Sequence, residues 1–311
     1  MRLFVYKRKL SLIYRKVVRG LFRLYIGISN KQHIVASIER PSLANYLNGI
    51  IGVAWLCERM NITLEFVFPK ENPTFFENPV LYQRNPNKTY PSKKFLINSS
   101  SDYLASIARK AARKDLPPEY GYGIISQLSI SQDIQHQADE WFNAHIEGDW
   151  VAVHYRGTDA HTHPRSDKRK MSINLYIAWL KEVLDNQCSI FACSDQAQFI
   201  NQMQRTFPNR SYSREIKRST DKKPLHWSDN NQYSDKDLYS QKRNALIEIL
   251  ILAKASVIYT TGSWFVDVVK NFNPKIKIVS LDQRMERRSA SNYLPIPKES
   301  LLQAWRNDHL T

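Results

Sequence analysis

The sequence predicts an α/β protein with two Rossmann-like domains, at about 31–147 and 148–290, with a basic amphipathic helix at 1–30 ahead of them and a tail at 291–311 after them. Three observations predict it. From Gly148 onward, short apolar runs alternate with helix-patterned segments, as in a doubly wound sheet. Between His33 and Phe68 a strand, a helix and a second strand follow one another, the elementary unit of a parallel sheet. A chain of 311 residues is also long enough for two full cores.

From Met1 to Ile38 there are nine basic residues and no acid, interleaved with Leu3, Tyr6, Leu10, Ile13, Val17, Leu21, Leu24 and Ile28 at steps of three or four. That is an apolar stripe with a basic opposite face. It suits either a helix lying on an anionic membrane surface or a helix packed on its own protein with a solvated basic side. His33 to Ile38 reads as a strand, a loop with Pro41 follows, and Leu47, Ile50, Ile51, Ala54 and Trp55 line one face of a helix from about Ala44 to Met60. Thr63 to Phe68 is the next strand, closed by Pro69. Lys70 to Ser101, rich in Pro, Asn and aromatics, reads as irregular; Phe75, Phe76, Tyr82 and Tyr90 are either loop anchors or sugar platforms. Helices are expected at 101–114 and 131–146, with Gly148 ending the first domain.

In the second half, Trp150 to His154 is a buried strand bounded by Gly148 and Gly157. Helix 172–185, strand 188–193, helix 196–206, a short strand near Ser211, helix 235–255, strand 257–260, helix 263–270 and strand 276–281 complete the alternation. The segment from Pro297 to His309 reads as helical.

Composition narrows the function. Apolar residues make up 42% of the chain, which describes a folded protein rather than a disordered one. The net charge of +16 points to an anionic partner: nucleic acid, a membrane surface or an anionic small substrate. Nucleic acid is disfavoured, because the excess is greatest in the N-terminal helix and no nucleic-acid motif appears. Cys57, Cys188 and Cys193 lack disulfide-framework or zinc spacing and read as reduced and packed, which implies the cytoplasm. No apolar run is long enough to span a membrane, and basic residues interrupt any signal-peptide pattern.

The chemistry concentrates where the strand at 150–154 ends, in His154-Tyr155-Arg156-Gly157-Thr158-Asp159. Ligands of open α/β sheets bind just beyond the carboxyl ends of strands. The guanidinium of Arg156 offers there a planar fork suited to a diphosphate, or else an ion pair that ties down a turn. Farther on, Glu248 interrupts an apolar helical run, Thr260-Thr261-Gly262-Ser263 forms a hydroxyl-bearing strand-to-helix turn fit for phosphate oxygens, and Ser194-Asp195 ends a strand.

His-x-Arg-x-x-Asp at a strand end resembles the shared motif of the fucosyltransferase superfamily, which includes α1,6-, α1,2- and protein O-fucosyltransferases and the bacterial nodulation enzyme. Asn45 and Asn61-Ile62-Thr63-Leu64 match a second stretch of that family, although Pro41 and Ala44 stand where its glycines would be. The order carboxylate-bearing helix, strand, hydroxyl turn, helix from Arg243 to Ser263 matches a third. The resemblance implies two facing Rossmann-like domains of the GT-B type and inverting transfer of a sugar, most simply fucose from GDP-fucose. Donors of a related nucleotide sugar, or glycan binding without catalysis, are the alternatives.

By the same resemblance Arg156 stabilises the leaving diphosphate, assisted by Thr261 and Ser263, and His154 lies beside the nucleoside. Glu248 accepts from the guanine edge or else faces solvent. Asn45 contacts the donor or caps its helix, and Asp195 orients groups around the nucleotide or caps a helix. The α1,6 branch has Lys and Glu after its Asp; Ala160 and Pro164 stand there here, leaving Asp159, His161 and His163 as candidate bases. Asp235-Lys236-Asp237 reads as a helix cap rather than a metal site, and no cofactor or metal is expected. The implied acceptor is a glycan or lipid-linked glycan, reached from the inner face of the membrane through residues 1–28.

Overall fold

The computed structural model describes residues 33–37, 43–59, 63–66, 75–76, 81–82, 95–98, 118–157, 172–220, 235–281 and 293–294. The N-terminal helix, the helix expected at 101–114, and the tail from Pro297 lie outside the described residues. So do Asp159, His161 and His163. The chain forms two compact units, 1–130 and 131–311.

In the first unit β1 (His33–Ser37) leads into α1 (Leu43–Arg59) and β2 (Thr63–Phe66). The apolar positions of α1, spaced by three and four, bury Leu47, Ile50, Ile51, Ala54 and Trp55, as the stripe in the sequence requires. β1 pairs in parallel with β2 and, on its other side, with β4 (Phe95–Asn98), so that Ile34 lies opposite both Leu64 and Phe95. β3 (Leu81–Tyr82) adds an antiparallel edge to β2, giving the order β3-β2-β1-β4. The stretch from Lys70 to Ser101, expected to be irregular, therefore contributes two strands. Three apolar residues, Phe95 to Ile97, between polar flanks carry too short a pattern to announce β4, which is defined by its pairing with β1. Phe75 and Phe76 are buried, and Phe76 bridges Ile130, which makes this pair anchors rather than sugar platforms. An unforeseen helix, α2 (Pro118–Ile125), packs on α1; Pro118 suits a first turn, but Gly121 and Gly123 conceal the helix from propensity.

The second unit opens with α3 (Gln132–His145), the helix that the sequence reading placed at the end of the first domain. It packs on α6 (Asp235–Ala253) through Ile134 and Ala138, with ion pairs Asp133–Arg243 and Lys254–Asp139 at the margin. Then come β5 (Trp150–Tyr155), α4 (Ile173–Val183), β6 (Ser189–Ser194), α5 (Ala197–Thr206) and β7 (Ser211–Tyr212). After α6 follow β8 (Val257–Thr260), α7 (Trp264–Val269), β9 (Lys277–Ser280) and β10 (Tyr293–Leu294). All six strands are parallel in the order β10-β9-β8-β5-β6-β7.

Strand alternation sorts the two faces. Val153 and Tyr155 point toward α4 and α5, where Tyr176, Trp179, Leu180, Phe199 and Met203 close a dry core. Tyr155 stacks on Phe199 with ring centroids 4.8 Å apart. Burial of each such side chain stabilises by about 1.5–3 kcal/mol. On the other face Phe191 meets Trp141 of α3, and Cys193 and His154 turn toward α6 and α7. No helix among the described residues is long and apolar enough to cross a membrane.

Candidate functional site

The connections of the second unit leave β5 toward β6 and β7 in one direction, then return past it to β8, β9 and β10 in the other. The chain thus reverses its direction of winding between β5 and β8, and at such a switch point the ends of two adjacent strands diverge into a crevice. His154 and Arg156 stand at the end of β5, and Thr260 to Ser263 at the end of β8.

Backbone and hydroxyl bonds lock these ends together. Thr261 N–H donates to the His154 carbonyl at 3.3 Å, and Arg156 N–H donates to Thr261 Oγ1 at 3.2 Å. Gly262, at φ 80°, occupies the left-handed region that only glycine enters at no steric cost, and its N–H donates to Thr260 Oγ1 at 3.0 Å. Ser263 is the N-cap of α7, its Oγ accepting from Val266 N–H at 3.3 Å. Thr261 and Ser263 thus stand on the turn beside Arg156.

Arg156 is 29% exposed at its side chain and pairs through NH1 with Asp195 Oδ2 at 3.1 Å. Asp195 Oδ1 accepts from Gly157 N–H at 2.9 Å, so one carboxylate fixes both the guanidinium and the backbone behind it. The residue at the N-cap of α5 is Gln196, so Asp195 is not that cap; its carboxylate holds Arg156 and Gly157. Gly157 has no room for a side chain. An added Cβ would lie 2.1 Å from Gln196 Oε1 and 2.9 Å from its Cβ and Cδ.

His154 is buried, its Nδ1 lies 3.3 Å from Thr260 Oγ1, and its ring stacks on Phe265 at 5.3 Å and 17°. Burial pulls its pKa down to about 4, with the nearby Arg156 and Arg218 charges adding to the fall and Asp195 opposing it. The imidazole is neutral at physiological pH.

Glu248 faces inward, which excludes a solvent-side role. Its Oε1 accepts from Arg218 at 2.9 Å, with both side chains 6% exposed, and its Oε2 accepts from Cys193 Sγ at 3.3 Å. Burial, and after it the Glu248 carboxylate, push the Cys193 thiol far up, so it stays protonated. Arg218 went unnoticed in the sequence because it sits in a polar stretch without periodicity. The available signal was Glu248 itself, since a carboxylate in an apolar run demands a buried cation. Arg218 also donates to the Ser194 and Arg214 carbonyls.

The structure therefore brings His154, Arg156, Asp195, Thr261, Ser263 and, through Arg218, Glu248 to one end of one sheet. Asn45 belongs to the other unit, within the first turn of α1. Among the described residues no group of three or more His, Cys, Asp or Glu is placed to hold a metal ion.

Comparison with solved structures gives the same architecture. The chain is similar to NodZ alpha-1,6-fucosyltransferase soaked with GDP-fucose, with a TM-score of 0.53 and 15% identity over 82% of this chain and 96% of that one. Against a selenomethionine form of fucosyltransferase NodZ from Bradyrhizobium the TM-score is 0.51 at 14% identity, with the same coverage. At such identity the likeness is one of fold. No protein-family model matches the chain, and no curated protein does.

Proposed function

We propose that this protein is an inverting glycosyltransferase that moves fucose from GDP-fucose to a glycan or lipid-linked glycan. The observation that carries the reading is the Arg156–Asp195 pair across the ends of β5 and β6, beside the β5/β8 switch point where the hydroxyl-bearing turn Thr260–Ser263 stands. A diphosphate seated there meets a guanidinium already oriented by a carboxylate, with Thr261 and Ser263 beside it. Preorganised charge of this kind acts where negative charge develops as the bond to the anomeric carbon breaks. The acceptor hydroxyl attacks that carbon from the opposite face and loses its proton to a base, for which Asp159 and His161 are the candidates. The neutral His154–Phe265 stack offers a flat apolar wall for the nucleoside. The first domain is proposed as the acceptor side, and Asn45 as a donor contact, on the sequence resemblance alone. NodZ, whose fold the chain shares, has been soaked with GDP-fucose, which supports the choice of donor.

Thermal unfolding with and without nucleotide tests this, since a ligand that binds only the native state raises its apparent stability. GDP is expected to raise Tm where UDP, ADP and an oligonucleotide do not, and Arg156→Ala to abolish that rise while unfolding cooperatively. An equal GDP shift in the variant removes Arg156 from the site. The basic N-terminal segment is proposed to hold the enzyme on the inner face of the membrane; removing residues 1–28 should release it from anionic vesicles with GDP binding intact. Undiminished vesicle binding by the shortened chain would remove the anchor.

A further inference from the structure

The buried Glu248–Arg218 pair lies one step behind the proposed diphosphate site. We infer that Arg218 is a positioning residue, held by Glu248, whose task is to fix Asp195 and through it Arg156; this deepens the functional reading above and rests on it. The connection can be followed bond by bond. Arg218 NH1 donates to the carbonyl of Ser194, the last residue of β6 and the neighbour of Asp195. Arg218 NH2 donates to Glu248 Oε1 at 2.9 Å and to the Arg214 carbonyl at 3.1 Å. Next along the chain, Ser219 N–H donates to the Asp195 carbonyl and the Ser219 carbonyl accepts from Ala197 N–H, both at 2.9 Å. The peptide carrying Asp195 is therefore gripped on both sides by residues 218 and 219. The carboxylate it carries grips Arg156 and Gly157.

Glu248 is the counterweight. Buried on a long helix, with Oε2 accepting from the Cys193 thiol, it gives Arg218 a fixed address on α6. With both oxygens engaged inside the protein and its side chain only 6% exposed, its contribution to nucleotide binding is assigned as indirect, through Arg218 and Asp195.

A purely structural ion pair can be exchanged for apolar side chains of similar volume with little or no loss of stability. A positioning pair can leave Tm as little changed, but its exchange loosens the Asp195 loop, because the fork that holds the Ser194 carbonyl goes with it. The test is the double variant Arg218→Met/Glu248→Leu, followed by thermal unfolding, by hydrogen exchange of the Gly157 amide and by GDP titration. The expected result is a Tm close to wild type, Gly157 exchange at least tenfold faster, and GDP bound at least tenfold more weakly. Wild-type Gly157 exchange in the folded double variant overturns the inference. Should the double variant not fold, Arg218→Lys, which keeps the charge and loses the fork, decides by the same exchange measurement. If the wild-type protein binds no GDP, the proposed function falls, while Gly157 exchange still judges the positioning role. Discrimination between GDP and IDP offers a second reading: a Glu248 that bonded the guanine edge would lose it on Glu248→Gln, whereas a positioning Glu248 leaves the ratio unchanged.

Discussion

Placing a methyl group on Gly157 probes the site without touching any charge. In Gly157→Ala the new Cβ would lie 2.1 Å from Gln196 Oε1 and 2.9 Å from Gln196 Cβ and Cδ. Ordinary carbon contacts fall at about 3.5–4.0 Å. The amide end of Gln196 could rotate, but its Cβ is fixed by the backbone, and the residue is 4% exposed and has nowhere to swing. Overpacking of this sort costs about 1–3 kcal/mol. If the loop retreats instead, Gly157 N–H leaves Asp195, and a hydrogen bond to a charged group is worth about 1.5–3 kcal/mol. Either way the loss is about 2 kcal/mol, or about 4–8 °C in Tm for a domain of this size. Retreat also draws Arg156 off Asp195, so nucleotide affinity falls with stability. The assay is urea unfolding together with GDP titration of the same preparation. A Gly157→Ala protein with wild-type stability and affinity would mean that the Gln196–Gly157 contact does not constrain the loop. Adding Gln196→Ala is expected to restore part of the lost stability, since it removes Oε1 and Cδ but leaves the Cβ contact at 2.9 Å.

Other perturbations follow from the same geometry. The imidazole of His154 titrates near 4 in the fold and near 6.5 when unfolded, so between those values the unfolded chain binds the extra proton. Stability contributed by neutral His154 is complete above pH 6.5 and declines as pH falls through that window, by up to about 3 kcal/mol. In His154→Gln the difference in unfolding free energy between pH 7 and pH 4.5 should shrink by that order; an unchanged difference would show that His154 is not the titrating group. Ser263→Ala removes the cap of a six-residue helix and is expected to cost about 1 kcal/mol, read by chemical denaturation. Arg156→Ala, by contrast, breaks a pair that is about a quarter exposed, and should cost the fold under about 1 kcal/mol once solvent screening is counted. A large drop in stability there would mark Arg156 as a structural residue.

The second unit was legible because its periodicities are local. Trp150–Tyr155, Ser189–Ser194 and Val257–Thr260 are apolar runs between turn residues, and α5 carries a single apolar stripe of Phe199, Ile200 and Met203. The strand-to-helix turn at Thr260 to Ser263 is likewise legible, although the cap role of Ser263 appears only in the structure. What escaped was set by distant partners. β4 is a strand because β1 lies beside it, and Arg218 is buried because Glu248, thirty residues on, supplies a counterion. Phe265 acquires its place against His154, and Gln196 its place against Gly157, only when β5, β6 and β8 are side by side. The spacing of Phe and Gln in the sequence carries no trace of this.

The order of the six-stranded sheet has a cost during synthesis. Arg156 and Thr261 are separated by 105 positions, and His154 and Thr260 by 106. Until β8 has left the ribosome, β5 presents a bare apolar edge to whatever else is nearby, and at 5–20 residues per second that wait lasts about 5–20 s. An unpaired edge of this kind invites pairing with another nascent chain. The proposed nucleotide site would therefore be completed late and all at once, and a chain halted before residue 257 would carry the His-x-Arg pair with nothing opposite it.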